Sequence, residues 1–271
     1  MTTMPFMNVI FRLIFVLLCL SASSSRAGEG ARLADAFERE VAVKLNVPES
    51  AQARYAFMLD AALKGGAFSA SQYLILVDRN SNVQALFIYF LDLPAARLHF
   101  IGASPVSTGK PGQFDYFFTP TGVFAHTLEN LDYRAEGTFN KNGIRGLGLK
   151  GIRVFDFGWA MAERGWDGGG RGQMRLLMHA TDPDFLEPYL GVARSKGCVR
   201  IPATLNVFID RYGLLDADYL QALENGEKMW MLRADRTPTA WPGRYLIIID
   251  SASRERPDWA PLPGKRRAHK P

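Results

Sequence analysis

A thiol and an imidazole are the groups in this chain best suited to chemistry. Cys198 lies in ARSKGCVRIP, residues 193–202, behind Gly197 and between Lys196 and Arg200. A cysteine attacks as its thiolate, and nearby cations or a helix N-terminus favour that form. The spacing of Leu205, Phe208, Ile209 and Tyr212 predicts a helix over 203–212, with Pro202 at its first turn and Gly213 at its end. The thiol is therefore expected just before the positive end of that helix. Gly197 permits close backbone approach, and the N–H groups of Gly197 and Cys198 are candidate donors to a developing oxyanion. An inert, buried cysteine is the competing reading of the same stretch.

Four histidines compete for the role of base: His99, His126, His179 and His269. His269 falls in a basic tail, and His99 sits in a strand pattern that suits a packed or surface residue. His126 follows TPTGVF, where no neighbour in the sequence orients a proton. His179 closes MRLLMHA, where a strand meets a loop, 19 residues before Cys198. A Cys–His pair also needs a third group to fix the imidazole tautomer. A packed, non-catalytic His179 is the alternative.

Other signals are weaker. STGK, residues 107–110, lacks the glycine spacing of a phosphate loop and runs into Pro111. His179 with Asp182, Asp184 and Glu187 lacks a second histidine at ligand spacing, so no metal is expected, and no organic cofactor is implied. The Arg/Trp alternation over 145–175 suits either contact with sugars or an anion, or a structural loop.

The elements that must position these groups follow from periodicity. Leu33, Phe37, Val41 and Leu45 repeat every four residues, and Tyr55, Met58, Leu59 and Ala62 follow a second helical pattern after Pro48 that Gly65 and Gly66 stop. YLILVDR, VQALFIYFLD, RLHFIGASPVS, MRLLMHA and RYLIIIDS read as strands. The stretch from Gly143 to Gly172 has no clear period and reads as a long functional or mobile loop. The fold class expected is mainly β, α+β overall, with N-terminal accessory helices and peripheral helices.

The first residues have the anatomy of a secretory signal. Arg12 precedes the apolar run Leu13 to Leu20, then SASSSRAGEG, with Ser25-Arg26-Ala27 as a small-x-small cleavage site. Retention as an uncleaved anchor, or lipidation at Cys19, are the alternatives. Cleavage near Gly28 removes two arginines and no acids, so the formal charge falls from +5 to +3. That mild basic balance does not argue for nucleic acid. It also removes Cys19, one of the two cysteines, which excludes an intramolecular disulfide and leaves Cys198 as a lone thiol to be explained.

Taken as an ordered set, ASPVSTGK, TPTGVF, MHATDP and SKGCVRIP resemble the L,D-transpeptidase catalytic domain, the YkuD family, over roughly Tyr73 to Tyr212. The resemblance implies a β-sandwich, with Cys198 as nucleophile and His179 as its base. It also implies a main-chain carbonyl, at Ala180 or Thr181, completing the triad. Ser195, Gly197 and Arg200 would line the active-site wall, and the Gly143 to Gly172 region, with Trp159 and Trp166, would form a substrate flap. Two residues depart from the family pattern: Lys196 replaces the motif's second histidine, and Ala180 stands where glycine is usual. Lysine is a poor base near neutral pH. Its remaining roles are to steady the oxyanion, bind a substrate carboxylate or lower the Cys198 pKa; a solvent-facing lysine is the alternative.

The implied organisation is a signal peptide over 1–27, a helical accessory segment over 28–70 and the catalytic domain over 71–220. A C-terminal extension with one packing strand follows over 221–253, then a basic, Pro-rich tail over 254–271 whose end, GKRRAHKP, is expected to be disordered and solvated. The implied activity is cross-linking of peptidoglycan peptide stems in the periplasm through a cysteine thioester. The cross-links would be of the 3,3 type or of the 1,3 type between L-alanine and diaminopimelate. Donor and acceptor stems would be the partners, with no membrane span after signal removal. An L,D-carboxypeptidase or amide hydrolase using the same pair is the alternative enzyme. A wall-binding module with a decayed site is the alternative of another class.

Overall fold

Gln72–Asp78 and Ala85–Asp92, QYLILVD and ALFIYFLD, are almost uninterrupted apolar runs, the pattern of strands covered on both faces. The computed structural model describes residues 28–63 and 68–262. In it these runs form β1 and β2, paired antiparallel and buried along nearly their whole length. With β3 (Arg97–Pro105), β4 (Gly122–Ala125) and β9 (Tyr245–Ile249) they make a five-stranded sheet of order β3-β2-β1-β9-β4. A second sheet, of order β5-β6-β7-β8, contains β5 (Tyr133–Arg134), β6 (Arg153–Glu163), β7 (Arg171–Ala180) and β8 (Val199–Ile201).

One face of the first sheet, through Tyr73, Ile75, Leu86 and Ile88, shares a core with Leu176, Met178, Val199 and Ile201 of the second. Its other face, through Leu74, Leu76, Phe87 and Tyr89, is covered by Tyr55 and Leu59 of α2 (Glu49–Leu63). The protein is thus mixed α/β, mostly strand, and built on two sheets.

Four expectations need correction. Residues 28–70 are not merely accessory. The stripe Leu33, Phe37, Val41, carried by helix α1 (residues 28–40) and its end, enters the core shared by both sheets. Phe37 meets Phe208 edge-on at 5.5 Å, and Gly102 of β3 lies so close under its ring that a Cβ would stand 2.3 Å away. The strand expected in a C-terminal extension is interior: β9 pairs parallel with β1 and antiparallel with β4.

The region from Gly143 to Gly172 is not a single loop, because Arg153–Glu163 is an eleven-residue strand in register with β7. A bulge between Asp156 and Trp159, where Gly158 adopts φ +78°, breaks its alternation and hides it from periodicity. Finally, residues 254–262 are not a loose tail, since Trp259 packs 5.8 Å from the rings of both Tyr55 and Phe87. The signal segment, Gly65 and Gly66, and residues 263–271 with His269 lie outside the described residues. No described helix is long and apolar enough to cross a membrane.

Candidate active site

The parallel register of β7 and β8 sets Cys198, in the bend just before β8, beside the strand that carries His179. Met178 lies opposite Val199 and His179 opposite Arg200. Met178, Val199 and Ile201 point into the core. Side chains alternate along a strand, so His179 and Arg200 share the outer face of the second sheet, and Cys198, in the bend before β8, lies within reach of the Arg200 and Asp156 charges. Asp156 and Tyr133 reach the same face through their pairings with β7 and β6.

His179 is buried, and its Nδ1 lies 2.7 Å from the carbonyl oxygen of Ala180. A carbonyl only accepts, so Nδ1 carries the proton and Nε2 keeps its lone pair. Burial pushes the imidazole pKa down to about 4, and the charge of Arg200 acts in the same direction against the Ala180 hydrogen bond. His179 is therefore a neutral base of defined tautomer. The carbonyl that fixes it belongs to Ala180, not Thr181.

Cys198 is partly buried at the open end of the β7–β8 ladder, with Sγ 3.9 Å from the Arg175 carbonyl. Burial pushes its thiol pKa up. The Leu177 amide and Arg200 pull it down, Asp156 pushes it up, and the net direction is upward. The resting group is a thiol, against the sequence expectation, for three reasons. The strand β8 separates Cys198 from α3 (Ala203–Tyr212), so the thiol does not sit at the helix end. The first amide of α3, Ala203 N–H, donates instead to Glu187 Oε2 at 2.8 Å. Lys196 is turned outward, its Nζ 2.9 Å from Asp115 Oδ2 and 5.6 Å from the Tyr116 ring centre. It faces solvent, not the thiol.

The segment around the thiol is held by its backbone. Gly197 has φ +137°, and a Cβ there would lie 2.7 Å from Met174 Sδ, so glycine is required. Its N–H donates to Ser195 Oγ at 3.0 Å, and Ser195 Oγ donates to the Cys198 carbonyl at 2.6 Å. Thr119 Oγ1 donates to the Gly197 carbonyl at 2.7 Å. The Gly197 amide is thereby committed and cannot serve as the expected oxyanion donor. Ser195 and Gly197 shape the loop and do not point reactive groups at a substrate.

Arg200 is the cation that remains. Ser107 clamps its backbone in both directions at 3.0 Å, and its Nε is buried without a hydrogen-bond partner. No described carboxylate pairs with it, although Cys198 and Tyr116 stand close enough to influence its charge. The two tryptophans divide. Trp159 is exposed on the outer face, with the Arg175 guanidinium 5.6 Å from its ring centre. Trp166 turns into the wall, 4.7 Å from the Phe117 ring, and Phe117 N–H donates to the Lys196 carbonyl. Trp166 therefore braces the Cys198 loop while remaining partly exposed at a surface pocket.

Sequence reasoning missed several groups. Arg175 bonds Asp156 Oδ2 through Nε and Nη2 at 3.0 and 2.7 Å, forming a wall beside the thiol. Arg175 was readable four residues before His179 on the same strand face; Asp156 was masked by the bulge. The irregular connection 135–152 is strapped to the segment after His179. Arg145 N–H donates to Asp182 Oδ2 at 2.8 Å, and its guanidinium reaches Asp184 at 2.7 Å. Those acids and Glu187 thus have cationic or amide partners.

His126 also needs correction, because its proton is firmly oriented. Nε2 lies 2.7 Å from Asp132 Oδ1 and Nδ1 2.9 Å from the Leu215 carbonyl, all buried. Asp132 in turn meets buried Arg153 at 2.6 Å, and Arg153 meets Asp216 at 2.8 Å. Burial opposes the imidazolium, but Asp132's charge and hydrogen bond outweigh it and the pKa is raised. The chain matches no known family model and no curated protein.

Proposed function

We propose that the protein is a cysteine acyltransferase acting on peptidoglycan peptide stems, an L,D-transpeptidase with a YkuD-like fold that works in the periplasm. One observation carries the reading. A neutral imidazole, its Nδ1–H fixed on the Ala180 carbonyl, sits on the strand that a lone thiol flanks.

With a resting thiol and a low-pKa histidine, proton transfer accompanies attack. Nε2 takes the thiol proton as Sγ bonds the substrate carbonyl carbon. The Cys198 amide is the remaining backbone donor for the oxyanion. Collapse breaks the C–N bond, the imidazolium returns its proton to the leaving amine, and a thioester remains. An acceptor amine attacks the thioester, His179 takes its proton, and Sγ leaves as the thiol. Arg200 suits a substrate carboxylate, and an anion there offsets the charge that depresses His179. With water as acceptor, the same residues give a carboxypeptidase or amide hydrolase.

Incubation with muropeptides and mass spectrometry of the products tests the proposal. Cross-linked dimers that vanish in Cys198→Ala support it. Shortened monomers alone overturn transfer in favour of hydrolysis. No product, with no thioester adduct on Cys198, overturns both and leaves the wall-binding module.

A further inference from the structure

Successive residues of β5 face opposite ways. Tyr133 shares the face of His179, and Arg134 points into a separate cavity of about 450 Å³. Arg134, Lys150, Arg211, Arg233 and Arg236 line that cavity, against only two carboxylates, Asp210 and Asp235. Like charges gathered in one concavity repel, and pairs that served folding alone would tend to balance.

Two of the guanidinium groups are fixed in place. Arg134 is bonded to Asp210 at 2.5 Å and to the Met231 carbonyl. Arg236, with 7% of its side chain exposed, is bonded to Asp216 at 2.7 Å, behind which stands buried Arg153. Burial lowers the Arg236 pKa; the charges of Asp216 and Asp210 oppose the shift, and those of Arg153 and Arg134 add to it. Arg211 and Arg233 are half exposed at the rim, where Arg211 meets Glu40 at 3.5 Å and Arg233 meets Asp235 at 2.6 Å, and Lys150 has no ion-pair partner among the described residues. Four of the five cations are arginines, whose planar forks match phosphate oxygens in pairs. Leu149, Ile152 and Val207 supply an apolar wall, Val207 being 53% exposed.

We propose that this cavity is a binding site for a phosphate monoester or diphosphate group carried on a partly apolar body. It uses none of the residues of the Cys198 site and stands whether or not the acyltransferase reading does. The ligand's source is either a soluble phosphorylated molecule or a phosphorylated lipid headgroup, and two measurements on the full chain separate them.

The first is calorimetric titration with inorganic pyrophosphate, with sodium chloride of matched ionic strength as control. The second is co-sedimentation with phosphatidylcholine vesicles, with and without phosphatidic acid. The comparison protein is Lys150→Ala/Arg233→Ala, which alters exposed side chains only; its folding is checked by circular dichroism and melting temperature. Saturable pyrophosphate binding, weakened about tenfold or more in the double variant, is expected. Cys198→Ala should bind as the wild type does. Sedimentation with phosphatidic acid vesicles that the double variant loses assigns the headgroup; pyrophosphate binding without it assigns a soluble ligand. Binding in neither assay overturns the proposal, as does pyrophosphate affinity equal in the folded double variant and the wild type.

Discussion

His179 and His126 are both closed off from solvent, 4% and 0% exposed, yet one ring is neutral and the other cationic. Desolvation penalises the cation in each, so burial does not decide the outcome. The second partner does. His126 has a carbonyl on one nitrogen and an ionised carboxylate on the other, so both nitrogens hold protons. His179 has a carbonyl on one nitrogen, no hydrogen-bond partner among the described residues on the other, and the Arg200 cation nearby. Orientation by a carbonyl leaves a ring able to accept a proton; backing by a buried carboxylate–arginine network uses that capacity up. The histidine with more bonds is thereby the worse base.

The sharpest way to break the contrast is to delete each ring. His179→Ala is expected to lower turnover by about a thousandfold or more while costing about 1–2 kcal/mol of stability. His126→Ala strips a partner from a buried charge network and is expected to cost about 3–5 kcal/mol, with turnover per folded molecule largely kept. Muropeptide turnover and urea denaturation read the two quantities. Equal loss of activity in two fully folded variants would undo the distinction.

Opposite pH limbs come next in size. His126 has a folded pKa above its ordinary 6.5, so its contribution to stability is complete below 6.5 and fades as pH rises through the folded value. His179 has a folded pKa of about 4, so its contribution is complete above 6.5 and is lost as pH falls from 6.5 toward 4. Melting temperature against pH should therefore lose its alkaline decline in His126→Gln and part of its acid decline in His179→Gln. An alkaline limb retained by the first variant contradicts a cationic His126.

A smaller effect tests what holds His179 down. Arg200→Gln removes the neighbouring cation, and the His179 titration followed by proton NMR should move upward. No movement would mean that burial alone sets its value. The least effect belongs to Lys196, whose partner is an exposed aspartate. Lys196→Ala should change stability by less than about 1 kcal/mol and leave turnover within about threefold. A large loss of turnover would place the ammonium on the substrate.

Much of this site was legible in the sequence. The strand MRLLMHA ends at Ala180, one residue past His179, the Ala180 carbonyl is one of the two that the resemblance offers, and the helix over 203–212 starts and stops as its pattern indicates. What escaped was set by distance in the chain. A three-residue strand such as β8 is too short to show a period, so the thiol was assigned to the helix end. Asp115 lies 81 residues from Lys196, and Arg153 lies 21 residues beyond Asp132, so neither charge partner could be paired by spacing. The single-residue slip at Gly158 moved Asp156 out of its expected alternation and concealed both a strand and a wall of the site.

The position of β9 has a consequence for how the chain is made. β4 has no strand partner except β9, and β1 has β9 on one side, so the first sheet stays split until residues 245–249 emerge. A ribosome that has not yet made residues 245–249 still holds unmatched edges on β1 and β4 and an open core. Such late, long-range closure makes folding slow and leaves the unfinished chain open to edge-to-edge aggregation. Deleting β9 should therefore yield an insoluble product, not a trimmed, folded protein.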